Sequence, residues 1–448
     1  MEDAEAVAVT IRAAFEREIA RLRLEPAPSL VAVSGGPDSL ALLDLLARSP
    51  TVAGRTLTVV HFDHGIAPDS GAVADRVRKA ASGYGLPVDV GVGGLGPEAS
   101  ETDARTARYS WFEARLHHHQ ARYLFLGHTR EDQAETILMR VLKGSGPAGL
   151  AGMARRRGPF VRPLLGSSRT DLRLLLETIG LEAWIDPANS DPRHLRSWIR
   201  GSVLPALTTR VDPIAGLLAV GRHAAGERRA WRALLKSMPG LDFRLERGVA
   251  SVAAPSLREY DSSLARTLIY TAARAAGLTV GAKAAGRIQR MIHNGQSGKV
   301  IEVSGGIAEL AFDRLRLARR LGHLYMGPGS VELSGHAGEL DWDGWRIRWS
   351  LGSTPDQIGR GESGSWLTPG VYRVRAWRAG DRIRPLGGVG HRLVVRCMQD
   401  KKVPRTERRS WPVLEQGSDI VWVPGVCRSD VGVPAVGQAA LRVDAGRA

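Results

Sequence analysis

A chain of 448 residues can bury more than one core, and at roughly 100 to 200 residues per domain it holds two to four. Its 62 lysines and arginines against 46 aspartates and glutamates leave a net charge of +16, which favours a polyanionic partner, nucleic acid first, over an acidic one; a solubilising charge bias is the plainer alternative. Cys397 and Cys427 are the only cysteines, too few and too far apart for a disulfide framework or a Cys-x-x-Cys metal or redox site. No window nears the roughly 18 uninterrupted apolar residues of a membrane span, and Glu2, Asp3 and Glu5 lack the order of a secretory leader. The expectation is a cytoplasmic protein with no membrane partner.

In chain order, Ala4 to Arg23 has helical spacing. Strand-like apolar runs follow at Leu30 to Val33, Leu57 to Phe62, Pro87 to Val92 and Tyr123 to Leu126, separated by helical stretches such as Gly71 to Ser82 and Thr102 to His118. This alternation predicts an α/β domain over 1–215, a mostly parallel sheet covered by helices. From Val211 to Leu321 the pattern turns to helices rich in Ala, Arg and Leu, Gly216 to Ser237 and Ser262 to Ala276 among them, which predicts a helical middle domain over 216–325. From Gly327 to Pro369, Gly, Ser and Trp punctuate short alternating runs such as Leu340 to Trp349, and the stretch from Val371 is β-like and basic. The region 326–448 is therefore expected to be a small, mixed α+β, β-rich C-terminal domain.

In open parallel sheets, ligands collect beyond the carboxyl ends of the strands, so polar residues just after each strand are the ones to inspect. Ser34, Gly35, Gly36, Pro37, Asp38 and Ser39 stand between the first strand and a helix. Two glycines there let backbone amides approach an anion while the helix start adds its dipole. The plainer reading is a turn with Asp38 or Ser39 as a cap and Pro37 in a first helical turn. There is no Gly-Lys-Ser/Thr ending and no G-x-G-x-x-G, so neither a Walker loop nor a dinucleotide fold is indicated. His61-Phe62-Asp63-His64-Gly65 ends the second strand, where Asp63 could ligate Mg²⁺, hold an ammonium, or only cap a turn. His128-Thr129-Arg130-Glu131-Asp132 follows the fourth strand at a helix N-terminus, where acidic residues also serve the dipole alone.

The hexapeptide Ser34 to Ser39 resembles the PP-loop of the ATP pyrophosphatase superfamily, which implies a Rossmann-like N-terminal domain that cleaves ATP between its α and β phosphorus atoms. Across nearly the whole chain, further stretches are similar to the bacterial tRNA(Ile)-lysidine synthetase family. They are His61 to Gly65, Ala104 to Tyr109, Asp132 to Met153, Trp184 to Asp191, Arg378 to Pro385, Lys402 to Arg405 and Trp411 to Leu414. Three places depart from the family pattern. The third motif has His128, Thr129, Glu131 and Asp132 where two histidines and two aspartates are usual, Ile66 and Ala67 stand where an Arg follows the His-Gly motif, and Ser197 interrupts an arginine-rich stretch that reads Arg196-Ser197-Trp198-Ile199-Arg200.

The resemblance implies ATP and Mg²⁺ as cofactors, and L-lysine and tRNA(Ile) bearing a CAU anticodon as partners; a homodimer is left open. The wobble cytidine would be adenylated at its C2 oxygen, and the lysine amine would then displace AMP. The implied catalytic residues are Asp38, Asp63, Asp132 and Arg105, with ATP held by Ser34, Gly35, Gly36, Pro37, Asp38 and Ser39, and Mg²⁺ on Asp38 or Asp63. His128, Glu131, Arg108, Arg196 and Arg200 are expected to contact substrate or phosphate. Arg378, Arg382, Arg384, Lys402 and Arg405 are expected to contact tRNA, within a basic cluster interleaved with Trp377 and Trp411; those two tryptophans read equally as small-domain core. The run His117-His118-His119 reads as helix surface rather than a metal site. Two rival readings are another tRNA-modifying PP-loop enzyme of the thiolase type, for which the cysteines lie in the wrong region, and a tRNA-binding paralogue without catalysis.

Overall fold

The computed structural model describes residues 2–52, 55–65, 70–94, 96, 101–184, 194–319, 330–333, 335–356 and 364–447, and the chain divides into two compact units, Met1–Arg229 and Ala230–Ala448. The first unit has the expected α/β fold. After α1 (Glu2–Leu22) the chain runs β1 (Ser29–Ala32), α2 (Pro37–Ala47), β2 (Leu57–Asp63), α3 (Ser70–Ser82), β3 (Val88–Val92), α4 (Glu101–His118), β4 (Tyr123–Phe125) and α5 (Arg130–Leu142). Two short strands, β5 (Arg156–Arg157) and β6 (Phe160–Val161), precede α6 (Arg169–Ile179), α7 (Leu195–Trp198), α8 (Leu204–Thr208) and α9 (Pro213–Ser237).

The strand order is β3-β2-β1-β4-β6-β5, parallel except for the β5–β6 pair. The run of apolar residues in β1 follows from burial on both faces. Val31 packs with Leu40, Leu43, Leu172 and Leu175 on the side of α1, α2 and α6, whereas Leu30 packs with Phe112, Leu116 and Leu124 on the side of α4. The chain builds outward from β1 through β2 to β3 and then returns to place β4 on β1's other edge. That reversal opens a crevice beyond the ends of β1 and β4, the place where such sheets bind ligands.

The second unit carries the expected helix α11 (Ser262–Ala275), together with α10 (Ala254–Glu259) and α12 (Ala282–His293). The middle stretch also contains an antiparallel sheet that its helix-rich composition conceals, ordered β7-β8-β11-β10-β9, from β7 (Arg244–Glu246), β8 (Val249–Ala253), β9 (Val300–Val303), β10 (Gly306–Ala311) and β11 (Arg314–Arg319). Its strands are short and rich in Ala and Arg, and they close a core with the helices through Val252, Leu268, Ile288, Leu310 and Leu317. The C-terminal region is β-rich as expected. After β12 (Ser330–Leu333), the alternating run Leu340 to Trp349 is a hairpin of β13 (Ala337–Trp342) and β14 (Trp345–Ser353), because Asp343 and Gly344 both adopt positive φ, 45° and 77°, as a two-residue hairpin turn requires. Among the described residues no single helix is long and apolar enough to cross a membrane.

Candidate active site at the ends of β1 and β4

The turn after β1 is fixed by its glycines. Gly35 has φ +85°, and a Cβ there would stand 2.8 Å from Val73 Cγ1, so both dihedral and packing demand glycine. Gly36 opens α2 with Pro37 in its first turn. Ser39 knits the turn together: its Oγ accepts from the Ser34 amide at 3.1 Å, donates to Gly36 O at 2.8 Å and lies 3.2 Å from Ser34 Oγ. The Trp184 amide donates to Gly35 O at 3.0 Å from the other side. Asp38 therefore sits in the first turn of α2, at the sheet edge.

Gly127 explains how the third motif reaches Asp38. A Cβ at this position would come 3.0 Å from Asp38 O and 3.2 Å from Ser39 Cα, so any side chain would push the β4–α5 turn away from the start of α2 by a few tenths of an ångström. A capping box then starts α5. The Thr129 amide donates to Asp132 Oδ2 at 2.9 Å while Thr129 Oγ1 accepts from the Asp132 amide, which fixes the carboxylate of Asp132 at the helix N-terminus. Glu135 follows three residues later on the same face.

These acids meet three arginines from later elements. Asp132 Oδ1 accepts from Arg169 Nη2 at 2.7 Å, Arg196 Nη2 at 2.9 Å and Arg200 Nη2 at 3.3 Å. Glu135, whose side chain is 0 % exposed, accepts from Arg169 Nη1 at 3.0 Å, Arg196 Nε at 2.8 Å, and Arg200 Nε at 2.8 Å and Nη2 at 3.0 Å. Arg169 also reaches Asp38 Oδ2 at 3.3 Å through Nε, and its amide donates to Glu131 Oε2 at 3.1 Å. Burial works against ionising Asp132 and Glu135, but the guanidiniums outweigh it and hold both carboxyls below their ordinary value. For Arg169, burial works downward and Asp132, Glu135 and Asp38 raise it above its ordinary value.

Asp38 and His128 behave differently. Burial pushes the Asp38 carboxyl up to about 6, Arg169 offsets part of this, and the negative charges of Asp132 and Glu131 add to it. Among the described residues its buried Oδ1 has no hydrogen-bond partner, which leaves it to accept from a water, an ion or a ligand. Burial drives His128 down to about 3, with Arg162, Arg196 and Arg105 adding to the effect; it is a neutral imidazole whose buried Nδ1 also lacks a partner.

Of the residues singled out in the sequence, the fold thus gathers Ser34 to Ser39, Glu131, Asp132, Arg196 and Arg200 around Asp38, with His128 beside them. Asp63 stands apart from the ion-pair network; its Oδ1 accepts from the Gly65 amide at 2.8 Å, the turn role. His61 is buried, with Nδ1 2.7 Å from Val33 O, and ties β2 to the end of β1. Arg105 is exposed on α4, its guanidinium 4.7 Å from the centre of the Tyr109 ring, and Arg108 is half-buried on the same helix. His119 Nε2 lies 2.8 Å from Asp89 Oδ2, and no group of three or more metal-ligating side chains occurs among the described residues. Ser197 lies within α7. Ala67 and the Asp186 to Asp191 stretch lie outside the described residues.

Two members of the network, Glu135 and Arg169, were not singled out from sequence. Glu135 had a usable signal, since a Glu beside Ala134 and Ile137 on an apolar helix stripe invites a buried partner. Arg169, the first residue after the cap Ser168, carried none. In the second unit Arg378, Arg382, Arg384, Lys402 and Arg405 are all exposed. Trp377 and Trp411 instead pack against the core formed by Ile383, Val394, Met398 and Val413, with Trp411 Nε1 donating to Pro424 O at 3.0 Å. Arg375 is buried against Asp381 and Glu415 at 2.8 and 2.6 Å and belongs to the fold rather than the surface.

Residues 11–207 match the PP-loop domain family, and residues 372–444 match the TilS substrate C-terminal domain family. The tRNA(Ile)-lysidine synthase of Solibacter usitatus is 30 % identical over 408 residues, covering 88 % of this chain and 92 % of the relative. That of Symbiobacterium thermophilum is 33 % identical over 474 residues, covering 94 % of each. Among solved structures, the U34-tRNA thiolase NcsA from Methanococcus maripaludis aligns with a TM-score of 0.42 at 17 % identity, over 49 % of this chain and 80 % of that one. With relatives at this identity matching almost end to end, the chain belongs to the tRNA(Ile)-lysidine synthase family.

Proposed function

We propose that this enzyme joins the side-chain amine of L-lysine to C2 of the wobble cytidine in tRNA(Ile) bearing CAU, using ATP and releasing AMP and pyrophosphate. The observation that carries the reading is the meeting of two unlike sites at one sheet edge. An anion-cradling turn, Ser34 to Ser39, is bridged through Arg169 to a buried carboxylate pair, Asp132 and Glu135. The first suits a polyphosphate and the second an ammonium. A kinase or simple nucleotidase has no use for the second.

In this reading the turn amides and the start of α2 bind the leaving pyrophosphate, where fixed donors stabilise developing negative charge. Arg105 and Arg108, on the helix after β3, approach the phosphates once substrate is bound. Asp132 and Glu135, held ionised, bind the lysine ammonium and orient it toward the adenylated base; the ammonium gives up a proton to a carboxylate of the site, its nitrogen then attacks C2, and the C2–O bond breaks to release AMP. Neutral His128 contacts the nucleotide as a hydrogen-bonding group rather than as a cation.

Mg²⁺ fits Asp38 better than Asp63. Asp38 offers a buried carboxylate oxygen with no partner, a hard donor of the type Mg²⁺ prefers, whereas Asp63 commits an oxygen to its own turn. When bound there, the ion would neutralise phosphate charge. The cytidine has to leave its loop stack to present C2, so the exposed residues Arg378, Arg382, Arg384, Lys402 and Arg405 serve to hold the rest of the tRNA through its phosphates. A thiolase reading lacks its cysteines, since residues 1–229 contain none and both thiols of the second unit are buried.

The test is product analysis with ATP labelled at the α and γ positions. Labelled AMP and pyrophosphate, formed only when tRNA(Ile) is present, are expected. ADP with free phosphate, or AMP formation indifferent to tRNA, would exclude the reading.

A further inference from the structure

Among the described residues, Arg169 is the guanidinium that spans the two halves of the site. Its Nε lies 3.3 Å from Asp38 in the phosphate turn, while Nη1 and Nη2 lie 3.0 and 2.7 Å from Glu135 and Asp132. Among the described residues, Arg196 and Arg200 pair only with Asp132 and Glu135. Three guanidiniums thus face three carboxylates, and the cluster is balanced before any substrate arrives. An ammonium entering it finds every anion matched, and displacing an arginine from a buried pair is costly unless that arginine has somewhere to go.

A polyphosphate supplies the place. Seated on Ser34 to Ser39, it brings negative charge to the first turn of α2, where Arg169 already stands beside Asp38. Arginine's planar fork matches the geometry of phosphate as well as that of carboxylate. We propose that Arg169 is a positioning residue that makes amine binding depend on nucleotide binding. Without nucleotide it covers Asp132 and Glu135; with nucleotide its guanidinium turns to the phosphates and uncovers them for the ammonium of the amine substrate. This inference rests on the two-substrate reading above. Linkage makes it reciprocal, because whatever factor the nucleotide adds to lysine affinity, lysine must add to nucleotide affinity.

The full-length protein is titrated calorimetrically with L-lysine, alone and with saturating α,β-methylene ATP and Mg²⁺. Lysine should bind about tenfold tighter with the analogue, within the usual range of coupling between sites. Arg169→Ala leaves three carboxylates facing two arginines, so without nucleotide it should bind lysine more tightly than the wild type does, and the analogue should add almost nothing. Arg169→Lys should recover part of the coupling. A residue that merely braced the fold would weaken lysine binding in both states alike. If Arg169→Ala does not fold by circular dichroism, Arg169→Gln and Arg169→Lys carry the same comparison.

Equal lysine affinity of the wild type with and without the analogue would overturn the proposal, as would weaker nucleotide-free binding in a folded Arg169 variant. The same preparations are assayed for lysidine formation. Lysidine without coupling overturns the role of Arg169 alone, whereas no lysidine at all overturns the reading of the substrates.

Discussion

Replacing Asp38 by Asn should make the resting enzyme more stable while abolishing its activity. The ordinary carboxyl value of 3.8 becomes about 6 in the folded protein, chiefly through burial, and the side chain is only 22 % exposed. At 1.36 kcal/mol per tenfold change in proton affinity, keeping Asp38 ionised costs folding about 2 to 3 kcal/mol at neutral pH. The sign follows from the raised value: the folded state holds the proton more tightly, so the wild type loses this stability as pH rises from 3.8 through about 6. Asn imitates the protonated acid and avoids the loss. With roughly 2 to 4 °C per kcal/mol for a unit of this size, the variant should melt about 5 to 10 °C higher at pH 7.5. The gap should close as pH falls to 4. The assay is thermal unfolding with EDTA and without nucleotide, so that neither metal nor phosphate contacts Asp38. An Asn variant that melts below the wild type at pH 7.5, or a gap that does not change with pH, would refute the reasoning.

Glu135→Gln removes the fully buried anion shared by three arginines, and breaking a buried pair costs about 3 to 5 kcal/mol; a clear drop in melting temperature with loss of lysidine formation is expected, and an unchanged Tm would count against the network. Gly35→Ala must adopt φ +85° and meet Val73 at 2.8 Å, so nucleotide binding measured by calorimetry should fall at least about tenfold, given strain of roughly 1 to 3 kcal/mol. Arg382→Ala and Lys402→Ala, both on exposed side chains, should raise KM for tRNA, reduce its salt dependence by about one counterion each, and leave Tm unchanged. Trp411→Ala should instead lower Tm by emptying core space, and selective loss of tRNA affinity with normal Tm would return it to the surface role.

The first unit was legible because parallel strands buried on both faces read as continuous apolar runs. Leu30 to Val33 and Leu57 to Phe62 fall within a residue of β1 and β2. The polar clusters after β1 and β4 were legible as well, since the topology of such sheets sends them to one crevice. Strands of two residues, such as Phe160–Val161, are too short for any period to register. Glu135 and Arg169 escaped for a different reason: the pairs that define Glu135 join residues 34, 61 and 65 positions apart, and no local pattern encodes them. The middle sheet was hidden because Ala and Arg in β8 and β11 carry helix propensity that tertiary pairing overrides. In the C-terminal region a list of basic residues does not say which are buried: Arg375 is locked between Asp381 and Glu415, whereas Arg378 and Arg382 are exposed.

Incubation of the purified protein with ATP, Mg²⁺, labelled lysine and tRNA(Ile) bearing CAU, followed by mass analysis of the nucleosides, tests the central claim most directly. Label should appear in a nucleoside of the mass of cytidine plus lysine less one water, and should be absent when methionine tRNA with the same anticodon replaces the substrate. A folded protein and a folded tRNA(Ile) that yield no such nucleoside would contradict the account.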